Sequence, residues 1–215
     1  MTYLNLVNNV LRRLREDSVS SVNETSYSSL IGDLVNDAKR MVEDAWDWSA
    51  LRTTLTVNTV NGTFNYILVG SQNRIKLLDV LNDTSNIVMK YGTASVFNER
   101  YLISEPFDGA PEYYSFNGID SNGDTQVDLY PTPDGVYALR FNCVLRTDDL
   151  SADTDELTIP ATPVIHAALA MAARERGETG GTSAPEYFAI ADKYLSDAIA
   201  LDAQKHPEET IWYIP

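Results

Sequence analysis

Side chains suited to chemistry are sparse in this chain. His166 and His206 are its only histidines, and neither is placed with a second ligand on one helix face, so no zinc or other metal site is expected. His166 falls in a helical pattern, where packing or hydrogen bonding is expected, and His206 falls where a helix C-terminus favours a cation. Cys143, the only cysteine, alternates with Phe141 and Leu145, which suits a small buried hydrophobe and not a nucleophile. The run Asp120-Ser121-Asn122-Gly123-Asp124 begins like a calcium loop. Thr125 then stands where that loop needs glycine and Pro131 where it needs a bidentate glutamate, so a turn between strands is expected instead.

Carboxylates are plentiful, but nothing nominates a pair. Asp148, Asp149, Asp153, Asp155 and Glu156 crowd a polar connection, where solvated charge is the default; a glycosidase instead holds two carboxylates across a cleft. There is no nucleophile elbow, phosphate-binding loop or dinucleotide fingerprint. The expectation is a protein that is not an enzyme and has no cofactor.

The elements carrying these residues follow from periodicity. Leu4, Val7, Val10, Leu11 and Leu14, behind a Thr2 cap, mark an amphipathic helix ending near Asp17. After a polar connection over Ser18–Ser26, the stripe Tyr27, Leu30, Ile31, Leu34, Val35, Ala38, Met41, Val42, Ala45 and Trp46 marks a longer one. Two helices joined by a short loop should pack antiparallel.

From Leu51 the pattern turns β-branched. Residues 53–60 and 63–69 around Asn61-Gly62 read as a hairpin with a tight turn. Further strands are expected over 75–81, 87–91, 112–117, 126–130 and 137–146, with a short helix over 95–101. Pro160 and Pro163 then introduce a helix through Val164, Ile165, Ala168, Leu169, Ala172 and Ala173 that stops at Gly177. Ser183 and Glu186 read as the capping box of a last helix with Tyr187, Phe188, Ala191, Tyr194, Leu195, Ala198 and Ile199 on its apolar face.

The fold class expected is α+β: an antiparallel bundle of about four helices (1–50 and 157–205), an inserted antiparallel β-domain (51–156) and an extended C-terminal tail (206–215). Trp46 continues a helix stripe, and Trp48 is placed to brace the β-domain against the bundle. Ile211, Trp212, Tyr213 and Ile214 lie beyond Pro207 at the chain end, and such aromatic anchors are expected to bind another chain, the portal or a neighbouring subunit, with folding back onto their own domain as the alternative.

The 215 residues suit one domain with a large insertion, and 44% hydrophobic content supports a core. The formal charge of -15 and a pI near 4.4 argue against gripping nucleic acid through its phosphates. One cysteine allows no intrachain disulfide, and no apolar run approaches a membrane span, so a soluble intracellular product without a membrane partner is expected.

The order of junctions resembles a known family. Asp44-Ala45-Trp46-Asp47-Trp48 runs into a β-hairpin, Leu129-Tyr130-Pro131-Thr132-Pro133-Asp134-Gly135-Val136-Tyr137-Ala138-Leu139 follows, and Leu157-Thr158-Ile159-Pro160 precedes an Ala-rich helix. The combination resembles the head-to-tail adaptors of tailed bacteriophages, also called connector or tail tubular proteins. The resemblance implies a virion protein made in the host cytoplasm and placed at the neck. It also implies self-assembly into a ring, commonly a dodecamer, beneath the portal protein. Such a ring meets the next tail component, the nozzle, and passes DNA through its lumen without specific binding. C-terminal segments of such adaptors often reach the portal, which would give Ile211–Ile214 a partner. A head-completion or tail-terminator protein would be patterned similarly. A tail-associated carbohydrate-binding or hydrolytic β-domain on a helical support is the alternative from another class, and a cellular scaffold a third.

Overall fold

The computed structural model describes residues 1–72, 74–103, 107–177 and 183–205. Among the described residues there are five α-helices and eight strands, an α+β protein with two sheets. Packing divides the chain into two units, Met1–Leu51 with the chain from Thr147 onward, and Arg52–Arg146.

The helical unit starts with α1 (Tyr3–Arg13), where the Thr2 hydroxyl accepts the Asn5 amide at 3.4 Å. Its buried side comprises Tyr3, Leu6, Val7, Val10 and Leu11. Leu6 is therefore a core residue outside the expected stripe, while Leu4 is half-buried. The helix ends four residues before Asp17 because Arg15 turns left-handed (φ 61) and the Glu16 amide closes back on the Leu11 carbonyl at 3.0 Å.

Helix α2 (Ser26–Ala45) opens on a reciprocal cap: the Ser28 amide donates to Thr25 Oγ1 at 2.9 Å and the Thr25 amide to Ser28 Oγ at 3.0 Å. Trp46 is no longer helical; it is extended and half-buried. Helices α4 (Ala161–Glu175) and α5 (Ser183–Ala203) follow the β-rich stretch. Helix α4 packs against α1, α2 and α5, and its alanines at 167, 168, 170, 172 and 173 are all buried. Small side chains there let three helices approach one axis.

Residues 147–156, expected with the β-rich stretch, pack in the helical unit. The Tyr3 amide donates to the Asp155 carbonyl at 2.8 Å, the Leu157 amide to the Met1 carbonyl at 3.0 Å, and the Val22 amide to the Asp153 carboxylate at 2.9 Å. Polar composition concealed this, because the segment is held by hydrogen bonds and not by a continuous apolar stripe.

The second unit is a β-sandwich. One sheet has the order β1-β8-β3-β4, built from β1 (Arg52–Asn58), β3 (Ile75–Asn82), β4 (Ile87–Val88) and β8 (Ala138–Leu145). The other has the order β2-β7-β6-β5, built from β2 (Asn65–Leu68), β5 (Lys90–Tyr91), β6 (Tyr113–Ile119) and β7 (Thr125–Tyr130). Both sheets feed one core of Leu68, Val80, Met89, Val127, Leu129, Leu139 and Phe141.

The hairpin expected around Asn61-Gly62 does not form. β1 pairs with β8 and β2 with β7, in different sheets. Gly62 is indeed left-handed (φ 75), but its amide donates to the Pro133 carbonyl at 2.8 Å and the Thr59 amide to the Tyr137 carbonyl at 2.9 Å. The turn is a corner between layers, fixed by long-range partners that no local pattern carries. The expected antiparallel rule also has an exception, since β5 pairs with β6 in parallel. The chain over 87–91 explains it: it borders β3 at Ile87 and Val88, buries Met89, then joins the other sheet at Lys90. A short α3 (Ala94–Asn98) runs on into a π-turn over Glu99–Ile103.

Candidate assembly site

The helical unit is locked by buried polar groups, each drawn from a different element. Asp202, near the end of α5, accepts hydrogen bonds from Ser49 Oγ at 2.5 Å, the Ser49 amide at 2.9 Å and Trp46 Nε1 at 3.2 Å, and pairs with Lys205 Nζ at 2.9 Å. Burial alone would raise this carboxyl, but the Ser49 hydroxyl, the Ser49 amide and Lys205 outweigh it and hold it down to about 2. This joint fastens the stretch after α2 to the C-terminal end of α5.

Trp48 is buried, and its indole N–H donates to the Val42 carbonyl at 2.7 Å, satisfying one of the open acceptors at the end of α2. Trp46 and Trp48 therefore both act within the helical unit through specific hydrogen bonds. Ile211, Trp212, Tyr213, Ile214 and His206 lie outside the described residues.

Two further locks hold the returning chain on α2. Asn36 Nδ2 donates to the Leu150 carbonyl and Asn36 Oδ1 accepts the Leu150 amide, both at 3.0 Å, as a neighbouring strand would. One turn on, Lys39 Nζ donates to the Thr147 carbonyl at 2.9 Å while Glu43 accepts from the Thr147 hydroxyl at 2.7 Å. Sequence reading singled out none of Asp202, Asn36, Lys39 and Glu43. The last two did carry a signal, being charged residues one turn apart beside the buried positions Val35, Ala38 and Val42.

The histidine is likewise structural. His166 stacks on Tyr194 with ring centroids 4.4 Å apart, and its Nε2 lies 3.1 Å from Arg13 Nη1. Burial, then the Arg13 charge, lowers its pKa.

In the sandwich, Asp120 Oδ1 accepts the Asn122 and Asp124 amides, both at 2.8 Å, and Gly123 is left-handed, so this run is the β6–β7 turn. Asp124 in turn accepts the Gly70 and Gln72 amides. Cys143 is buried, and burial pushes its thiol up. A depression of about 280 Å³ on the first sheet is lined by Arg52, Thr54, Asp79 and Asn142 among others. There Thr54 donates to Asn142 Oδ1 at 2.9 Å and Asn142 to Asp79 at 2.6 Å, a chain that braces the sheet. On the other sheet Arg100 lies over the Tyr113 and Tyr130 rings at 4.6 and 4.5 Å, and the Tyr101 hydroxyl donates to the Leu129 carbonyl. Tyr101 is pushed up to about 12, mainly by burial.

Charge is unevenly divided. The helical unit holds nine Lys and Arg against 21 Asp and Glu, a formal -12, and the sandwich seven against ten, a formal -3. Tyr3 reports the resulting field: burial, followed by Asp33, Asp149 and Asp153, pushes it up to about 12.

Every titratable group described so far holds structure together, and no described group of His, Cys, Asp and Glu could hold a metal ion. A family model described as SU10 adaptor protein matches residues 1–210, and the chain belongs to this family of phage head-to-tail adaptors. A comparison with the curated proteins found no match. No described helix is long and apolar enough to cross a membrane.

Proposed function

We propose that this chain is the subunit of a ring, commonly of twelve copies, seated beneath the portal at one capsid vertex, where it joins the capsid to the tail and continues the DNA channel. Membership of the adaptor family over residues 1–210 carries this reading. The four longer helices are read as one bundle domain and the β-rich stretch as its insert, with residues 206–215 reaching the portal or a neighbouring subunit through Ile211, Trp212, Tyr213 and Ile214. The next tail component closes the conduit from below.

The charge division supports a role for the helical unit. A wall of carboxylates repels phosphates and lets DNA pass without sticking. With -12 of the formal -15 on the helical unit, that unit is the one to line the lumen.

Cryo-electron microscopy of the particle neck, together with light scattering of the purified chain with and without portal, tests the reading. A ring between portal and nozzle is expected. A chain absent from the neck, or one that stays monomeric and ignores portal, would sink it, and a basic lumen wall would remove the charge argument alone.

A further inference from the structure

Cations cluster at one corner of the helical unit. Of its nine Lys and Arg, five stand in residues 12–17 and 174–176 against three acids there, while the rest of the unit holds four against eighteen. Contacts between α1 and the end of α4 bring the two stretches together. Arg176 Nη1 donates to the Leu14 carbonyl at 3.1 Å, the same guanidinium pairs with Glu16, and Arg13 meets His166. Arg12, Arg13, Arg15 and Arg174 are exposed, and among the described residues neither Arg15 nor Arg174 has an ion-pair partner. Solvated charges of this kind add little to the fold, and their concentration in a unit of formal -12 marks a place where negative charge is received.

The same unit presents that charge elsewhere. Asp33 and Asp37, four residues apart on α2, are exposed. Arg40 Nη1 holds Asp37 at 2.9 Å and Arg40 Nε holds Asp149 at 3.0 Å, so three carboxylates gather about one cation. Arg176 lies over the Tyr27 ring at 5.0 Å, which sets the arginine corner beside the first turn of α2. Asp33 and Asp37 follow Tyr27 by six and ten residues, roughly 9 and 15 Å along the axis and turned by roughly 80–120° about it. Corner and ridge are therefore separate patches on different sides of α2. A contact between unlike patches repeats head to tail and can close a ring, whereas a patch that meets itself stops at a dimer.

We propose that the arginine corner formed by Arg12, Arg15 and Arg174 docks on the ridge of Asp33, Asp37 and Asp149 of a second copy of this chain. Exposed charges act over only about 8 Å at physiological salt, so corner and ridge attract at contact although two acidic copies repel as wholes. DNA is the poorer occupant, because a long polyanion would extend past the corner over the unit's remaining formal -14. That the contact runs around a ring rests on the function proposed above; the pairwise contact does not.

Two full-length charge-reversed chains test it: Arg15→Glu with Arg174→Glu, and Asp33→Lys with Asp37→Lys. Each alone should lose ring formation on portal in light scattering, with self-association weakened on the order of a hundredfold. An equimolar mixture of the two should restore rings, because the reversed corner of one meets the reversed ridge of the other. Rings that survive either reversal, or a mixture that stays apart, overturn the proposal. A second measurement needs no reversal. In full chains carrying Arg15→Lys and Arg174→Lys, a zero-length carbodiimide should couple position 15 or 174 to Asp33, Asp37 or Asp149 between isotopically distinct copies. Coupling confined to one chain, or none, overturns the contact as well. A corner reversal that abolishes duplex-DNA binding and leaves rings intact would assign the corner to phosphate instead. A wild type that forms no ring with portal would count against the adaptor reading, and the carbodiimide coupling would still decide the contact.

Discussion

Lys39 and Glu43, one turn apart on α2, meet at 3.1 Å with 1% of either side chain exposed, and both bind Thr147. Glu43 Oε2 is buried with no hydrogen-bond partner among the described residues, a desolvation cost that the contacts of Oε1 must offset. Desolvation offsets much of the Coulomb attraction of such a pair, but removing one partner strands the other. Lys39→Met should therefore destabilise by about 3–5 kcal/mol, and the double variant Lys39→Met with Glu43→Leu by clearly less. Urea unfolding checks this: a double variant as unstable as the single would show that the cost lies in packing.

Asp202 gives a pH prediction. Its folded pKa of about 2 lies below the ordinary 3.8, so its contribution is present above about pH 4 and is lost as pH falls through 2. Asp202→Asn should cost about 1–2 kcal/mol at neutral pH. The gap between parent and variant should narrow as pH falls from 4 toward 2. A constant gap across that window would mean that the lost hydrogen-bond geometry, and not charge, sets the cost.

Gly32 sits where α2 meets α1. A Cβ there would lie 2.5 Å from the Tyr3 hydroxyl and 2.8 Å from Val22 Cγ1. Helix propensity favours alanine by about 1 kcal/mol, but overpacking costs about 1–3 kcal/mol. Gly32→Ala should lower the melting temperature. A higher one would mean that Tyr3 and Val22 yield easily.

Arg15 has the opposite problem. It holds φ 61 at the end of α1, where its amide donates to the Arg12 carbonyl at 3.2 Å, a position that suits glycine. Arg15→Gly should stabilise by about 1 kcal/mol in chemical denaturation. Destabilisation would show that the exposed arginine side chain itself contributes.

Much of the fold was legible residue by residue. The Thr2 cap, the Gly177 stop and the strands over Ile75–Asn82 and Thr125–Tyr130 are local, because capping and alternation repeat within a few residues. The candidate site was less legible. Trp46 and Trp48 were noticed as aromatics at a junction, but Asp202, the group that Trp46 binds, lies 156 residues away and looked like any surface aspartate of α5.

The sequence by itself determined that helices flank a strand-rich middle, that the chain is strongly acidic, and that its few histidines and single cysteine suit no common catalytic motif. These depend on composition and short periods. Only the tertiary structure decided that β1 and β2 lie in different sheets, that residues 147–156 pack with the helices, and that Lys39 and Glu43 are buried. Each of those outcomes turns on a hydrogen bond or contact between residues far apart in the chain, such as Gly62 to Pro133 or Asn36 to Leu150. Local propensity cannot rank partners at that separation, because the free energy that selects among them comes from burying polar groups satisfied and apolar groups dry in one folded whole.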